Sequence, residues 1–216
     1  GQACQSIERV YVAQQIAQQF TDALVQLVGE VRLNAEAIAA GEIGPFIFER
    51  QAAIVAAQID DAVAKGARVL TGGTIETIGG GLYLRPTVLA GVTPDMTVMR
   101  EETFGPVLPV ATFASVDEAV ALANDSVFGL SAAVLAGTAE EAEEVAVRLE
   151  AGAVSINDGA LTSMIWEAEK SSFKLSGLGP SRMGDSGLMR FFRRQALIRQ
   201  SGAPLPLNAF AEETLP

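Results

Sequence analysis

The sequence contains no histidine, and a single cysteine, Cys4, among its 216 residues. Without histidine there is no Ser-His-Asp or Cys-His machinery and no His-containing metal site, so no metal is expected. Protons must be moved by a carboxylate or by a group from outside the chain. One cysteine cannot close an internal disulfide, which excludes a disulfide-stapled secreted fold. There is no run of about eighteen apolar residues, so no membrane span is expected. The first residues also lack the basic start and apolar core of a signal peptide, and the expected location is cytoplasmic. Positive charge is scarce: 15 Lys and Arg stand against 26 Asp and Glu, a net charge of −11. Phosphate backbones need a basic footprint, so nucleic acid is not an expected partner. The short basic run from Arg190 to Arg194 reads instead as a helix end or subunit contact.

What is present describes a globular α/β protein. Apolar residues make up 49% and charged residues 19% of the chain, enough to bury a sizeable core. The stretch ERVYV (residues 8–12) predicts a short strand. Ile16, Phe20, Leu24 and Leu27 then recur at helical spacing, and Ala52, Val55, Ile59, Ala62 and Val63 mark the inner face of a second helix ended by Gly66. ARVLTGG predicts a strand closed by a turn, and GGGLYLRPTVLAGV a hairpin-like pair of strands. From residue 107 the pattern becomes regular: strand VLPVATF, a helix opened by a Ser115/Glu118 capping box, strand LSAAVLA, a helix opened by Thr138/Glu141, and strand AVSIN. The inner face of the second of these helices runs through Ala142, Val145, Ala146 and Leu149, with Gly152 ending it. This alternation predicts a mostly parallel sheet flanked by helices, with sites beyond the carboxyl ends of its strands. A long irregular stretch, a short helix GLMRFFRR and a terminal strand QALIRQ complete the chain, with a proline-containing arm at the end.

Three features carry possible chemistry. Free cysteine is usually a small buried hydrophobe, but Cys4 has polar neighbours in Gln2, Gln5 and Ser6 and precedes a strand, which suits a loop facing a cleft. A nucleophilic cysteine needs an activating neighbour, for which Glu8, Glu101 and Glu102 are candidates. The second feature is MREETFGPVLPV. Its paired acids are either a solvated turn or a carboxylate that accepts hydrogen bonds from sugar hydroxyls beside an aromatic, Phe104. The third, KLSGLGPSRMG, is glycine-rich, but no strand directly precedes its glycines as a dinucleotide fingerprint requires, which favours a structural turn.

The order of Gly1-Gln2-x-Cys4, Glu8-Arg9-Val10-Tyr11-Val12, Glu101-Glu102-x-Phe104-Gly105-Pro106-Val107, NDSVFGLSAAV, Gly152-x-Val154-x-Ile156-Asn157 and Ser176-Gly177-x-Gly179 resembles the C-terminal portion of an aldehyde dehydrogenase, from residue 1 to about 200. The resemblance implies an enzyme that oxidises a small-molecule aldehyde to an acid with NAD or NADP. Cys4 would be its nucleophile, passing through a thiohemiacetal and a thioester, and the Cys4 backbone N–H would serve the oxyanion. Glu102 would hold the nicotinamide ribose with Phe104 beside it, while Asn157 and Trp166 would line the aldehyde entrance. Where members carry a proline-phenylalanine-diglycine stretch, this chain has Glu169, Lys170, Ser171, Ser172, Phe173 and Lys174, so no particular aldehyde is implied.

The family's ELGGK-type motif, with its general-base glutamate, its oxyanion asparagine and most of its cofactor-binding fold do not occur in this sequence. The expectation is therefore a fragment of a longer enzyme, inactive alone: residues 1–190 as a catalytic domain incomplete at its N-terminus, and residues 191–216 as a terminal strand and arm for oligomerisation. The intact protein would be a homo-oligomer, dimer or tetramer. Two other readings stay open, a dehydrogenase that passes its thioester to coenzyme A and a non-catalytic oligomerisation or scaffold module.

Overall fold

The structure, a computed structural model, describes residues 1–179 and 183–203, apart from the side chain of residue 38. In chain order its elements are β1 (Val10–Ala13), α1 (Ala17–Gly29), α2 (Glu49–Ala64), β2 (Arg68–Thr71), β3 (Ile75–Ile78), β4 (Gly81–Leu84), β5 (Thr87–Ala90) and β6 (Val107–Phe113). These are followed by α3 (Val116–Asn124), β7 (Phe128–Gly129), β8 (Ala132–Val134), α4 (Ala139–Ala146), β9 (Val154–Ile156), α5 (Leu161–Met164), β10 (Phe173–Lys174) and α6 (Gly184–Met189).

The main sheet has four strands in the order β1-β6-β5-β2. β6 runs parallel to both neighbours, with Val10 opposite Val110 and Thr87 opposite Val107, whereas β2 joins β5 antiparallel. Alternation along the strands sends side chains to two helical layers. Leu89, Val107 and Ala111 meet Ala52, Val55, Ile59 and Ala62 of α2 on one face. Val12, Val88 and Val110 meet Phe20, Leu24, Val25 and Val28 of α1 on the other. Pro109 lies inside this central strand without an N–H to donate, but it falls just before β1 begins pairing at Val110, where no ladder partner is lost.

The fold is α/β with helices on mixed sheets, and several local expectations change in detail. The strand–helix–strand unit β8-α4-β9 is parallel as the alternation predicts, but it forms its own two-stranded sheet instead of extending the one containing β6. β4 and β5 do not pair with each other. β4 closes an antiparallel hairpin with β3, while β5 joins the main sheet. The turn between β4 and β5 holds Pro86, whose missing N–H and fixed φ disfavour a direct hairpin.

The helix faces shift as well. Ile16, Leu27 and Val63 are exposed, and Gln58 takes an inner position on α2. The Thr138/Glu141 capping box is complete. At α3 the Ser115 side chain accepts from Glu118 N, while the Glu118 carboxylate reaches back to Ala114 N instead of the cap residue's own N–H. Regular α4 ends at Ala146, and Arg148 and Leu149 continue only as a tightened turn onto Val145 and Ala146. The short helix expected at 187–194 begins earlier, as α6. Residues 195–200, expected as a terminal strand, carry none, because no described strand of the chain lies beside them to complete a ladder. Residues 204–216 of the expected arm lie outside the described residues.

Candidate active site

The segment carrying Cys4 is anchored on both sides. Gly1 lies so close to the Gly105 carbonyl that a Cβ there would come within 2.3 Å of its oxygen, which explains a residue without a side chain. The Gln2 side chain donates to Pro45 O at 3.0 Å and accepts from Ile47 N at 2.9 Å, clamping the loop before α2. Cys4 then sits in a tight turn closed by Ser6 N onto Ala3 O, with its side chain exposed. Downstream, Arg9 donates to Ala123 O and Asp125 O and lies over the Tyr11 ring, and the Tyr11 hydroxyl donates to Leu122 O. These groups satisfy carbonyls at the C-terminal end of α3, where a helix leaves acceptors unpaired.

Cys4 is on a wall shared by two clefts. The larger, about 340 Å³, is also lined by Glu8, Arg9, Glu101 and Glu102, by the segment from Phe128 to Ala132, and by Ser176. The smaller, about 280 Å³, is bounded by Ala3, Gln5, Ser6 and Ile7 and by Gly159, Ala160 and Ser163, which follow β9. The nucleophile candidate therefore faces the acidic pair on one side and a strand-end loop on the other.

The Glu102–Phe104 segment is held from above and below by its backbone. Thr103 N and Phe104 N donate to the two Glu8 oxygens at 2.8 and 3.2 Å. On the opposite side, Gln51 of α2 donates to Thr103 O at 2.6 Å, and Gln58 points its amide toward Glu102 O at 3.5 Å. Phe104 has φ of 48°, a left-handed conformation rare for an aromatic residue. The kink buries Thr103 (1% exposed) and leaves Glu102 exposed in the larger cleft. Burial pushes the Glu8 carboxyl above the usual carboxylate range, the Thr103 and Phe104 N–H groups pull it back, and the charge on Glu102 adds to the upward push. Of the three candidate bases, Glu8 thus has both oxygens engaged with backbone, while Glu101 and Glu102 are exposed on the cleft wall.

The other expected site residues stand apart from both linings. Phe104 is half-buried beside the larger cleft's wall. Asn157 has φ of 52° and its Oδ1 accepts from Ala136 N at 2.7 Å, so it braces the loop after β8. Trp166 is 67% exposed. The Ser176-Gly177-x-Gly179 stretch acts as a structural turn: Ser176 Oγ accepts from Gly129 N at 2.9 Å and Leu175 N donates to Val127 O, which fixes a wall of the larger cleft. Gln51 and Gln58 are supports that no local motif marks, and the bracing contacts of Gln2, Arg9 and Tyr11 are equally hidden in their motifs, because the partners are backbone atoms far away in sequence. Among the described residues, no group of three or more His, Cys, Asp or Glu is arranged to hold a metal ion. Glu102 presents carboxylate oxygens that can accept hydrogen bonds from hydroxyl groups, in the same cleft as the thiol.

Comparison with known proteins gives a consistent assignment. The family model described as "Aldehyde dehydrogenase family" matches residues 1–197. A Mycolicibacterium smegmatis protein provisionally named a succinate-semialdehyde dehydrogenase (NADP+) is 40% identical over 198 residues, 91% of this chain and 38% of that protein. The solved structure of an aldehyde dehydrogenase, provisionally so described, from Anabaena variabilis is 49% identical with a TM-score of 0.91, covering 95% of this chain and 44% of its own. A point mutant of betaine aldehyde dehydrogenase from Staphylococcus aureus, solved with NAD+ and a mercaptoethanol-modified cysteine, is 32% identical with a TM-score of 0.85, covering 98% of this chain and 43% of its own. The chain thus spans 38% to 44% of the length of these relatives. It belongs to the aldehyde dehydrogenase family.

Proposed function

We propose that this chain supplies the nucleophile-bearing catalytic part of an NAD(P)-dependent aldehyde dehydrogenase that oxidises a small aldehyde to its carboxylic acid. The observation that carries this reading is the position of Cys4, exposed on the wall shared by a cleft holding Glu102 and a cleft bounded by the loop after β9. The Cys4 sulfur, as thiolate, adds to the aldehyde carbon, forming the C–S bond and placing negative charge on the former carbonyl oxygen. A bound nicotinamide cofactor would supply the acceptor for the hydride that leaves that carbon, which becomes a thioester as the C=O bond re-forms. Water then adds to the resulting thioester, and the C–S bond breaks to release the acid, one proton and the thiolate. Glu102 accepts hydrogen bonds from the cofactor ribose, with Phe104 beside it. The smaller cleft admits the aldehyde, bounded by the loop that starts at Asn157, at the end of β9, and continues toward Trp166.

The proposal extends to the whole protein. The chain forms the C-terminal portion of such an enzyme, with residues 1–190 belonging to its catalytic domain and residues 191–216 to an oligomerisation segment. Most cofactor contacts then come from residues outside this chain, and the 216 residues alone have no activity. The exposure of the large apolar side chains Phe191, Leu197 and Ile198 supports a homo-oligomer, in which a partner would cover them. The proposed location is cytoplasmic; among the described residues, no helix is long and apolar enough to cross a membrane.

The test is reduction of NAD+ or NADP+ by aldehydes in the full-length protein and in its Cys4→Ala variant. The wild type should turn over and the variant should lose more than about a thousandfold in kcat, as removal of a nucleophile does. Turnover that survives Cys4→Ala would overturn the assignment. Acyl-coenzyme A as the product would overturn release to water.

A further inference from the structure

Glu8 is absorbed by none of the roles above, although it lines the same cleft as Cys4 and Glu102. It precedes β1, four residues after Cys4, and is half-buried. Its carboxylate does not face solvent as a surface acid would. One oxygen accepts from Thr103 N at 2.8 Å and the other from Phe104 N at 3.2 Å. These are adjacent N–H groups across a chain separation of more than ninety residues. They belong to the stretch in which Phe104 adopts its left-handed φ of 48° and Thr103 turns into the core. Backbone in that region is costly for a non-glycine residue and persists where surrounding contacts over-determine it. Here Glu8 fixes the two N–H groups and Gln51 fixes the Thr103 carbonyl from the other side.

We propose that Glu8 is a positioning residue: its carboxylate ties the Cys4 segment to the Glu102–Phe104 segment and so sets the distance between the thiol and the ribose-binding acid. The proposal rests on the reading of Glu102 given above. Its chemistry requires a carboxylate specifically. Two parallel N–H donors need two acceptor oxygens, and ionised acceptors make the stronger bonds. A glutamine offers one acceptor and turns its NH2 against the second N–H. An aspartate is one methylene too short to span the same gap from the same backbone position. Glu8 touches neither aldehyde nor cofactor in this scheme and acts only through Glu102.

Glu8→Gln separates the structural and functional parts of the proposal. In the 216-residue chain, amide hydrogen exchange at Thr103 and Phe104 should accelerate at least about tenfold, the loss expected for one broken charge-assisted hydrogen bond. Amides of β6 should stay protected, which shows that the variant is folded. Unchanged exchange at both positions would overturn the tie, and loss of protection throughout β6 would show a general structural role and overturn it equally.

In the full-length protein the same substitution should raise the KM for NAD(P) by about tenfold, more than it lowers kcat and with little change in the aldehyde KM. A cofactor KM equal to the wild type's, or an equal change in all three parameters, would overturn the link to Glu102. A wild type that oxidises no aldehyde would overturn the proposed function and this link with it, while the exchange result would still decide whether Glu8 holds the loop.

Discussion

At the scale of single residues, the site depends on polar side chains that grip backbone. Gln2, Glu8, Gln51, Arg9 and Tyr11 all make their principal contacts with N–H or C=O groups distant in sequence. This explains what could be read in advance. Cys4 and Glu102 stand in short motifs whose chemistry is local, so their candidacy is visible in sequence. Glu8 is visible as an acid near a thiol and as part of a motif, but not as a clamp on the 103–104 backbone, because its partners are set by the packing of β1 against β6.

The charge state of Glu8 has a consequence for stability. Its folded carboxyl holds its proton to higher pH than the ordinary 4.5, with burial as the main cause. The folded state therefore binds more protons than the unfolded chain above pH 4.5, and stability falls as pH rises through that window. Urea-unfolding midpoints of the wild type should accordingly decline relative to those of Glu8→Gln between pH 4.5 and neutrality. A difference independent of pH would show that the Glu8 carboxyl is not raised.

At the scale of elements, legibility followed the locality of the signal. α3 and α4 were readable because their caps lie within three residues of the helix start, and Thr138 and Glu141 do exchange both hydrogen bonds. Replacing Thr138 with Ala should cost about 1 kcal/mol of stability, the usual value of an N-cap, with the β8-α4-β9 unit losing protection first. Equal thermal stability of the variant would mean that α4 is held by packing alone. Strand partnership was less legible. VLPVATF reads as a buried strand from composition, but which strands flank it is set by burial on two faces. β5 turns away from β4 because Val88 and Leu89 each fill a different core. The inner faces of α1 and α2 were displaced at Ile16, Leu27 and Val63 for a similar reason: each helix packs against a twisted sheet of limited width, and the outermost apolar positions overhang it.

At the scale of the whole molecule, two units meet at Cys4. One is the four-stranded sheet with α1 and α2, which fixes Glu8 and the Glu102 loop. The other is β8-α4-β9 with its following loop, which closes the smaller cleft. The family could be read from the spacing of motifs that come from both units, whereas the division into separate sheets could not, since parallel strands give the same pattern in one sheet or two. The thiol stands between an acid-bearing cleft and a strand-end loop, the position from which it would act as nucleophile. The most direct test of that role is mass spectrometry of the full-length protein, acid-quenched during turnover with aldehyde and NAD(P)+. The peptide containing Cys4 should carry the mass of the acyl group, and this adduct should be chased away as acid forms. Steady turnover with Cys4 unmodified at every time point would contradict that role.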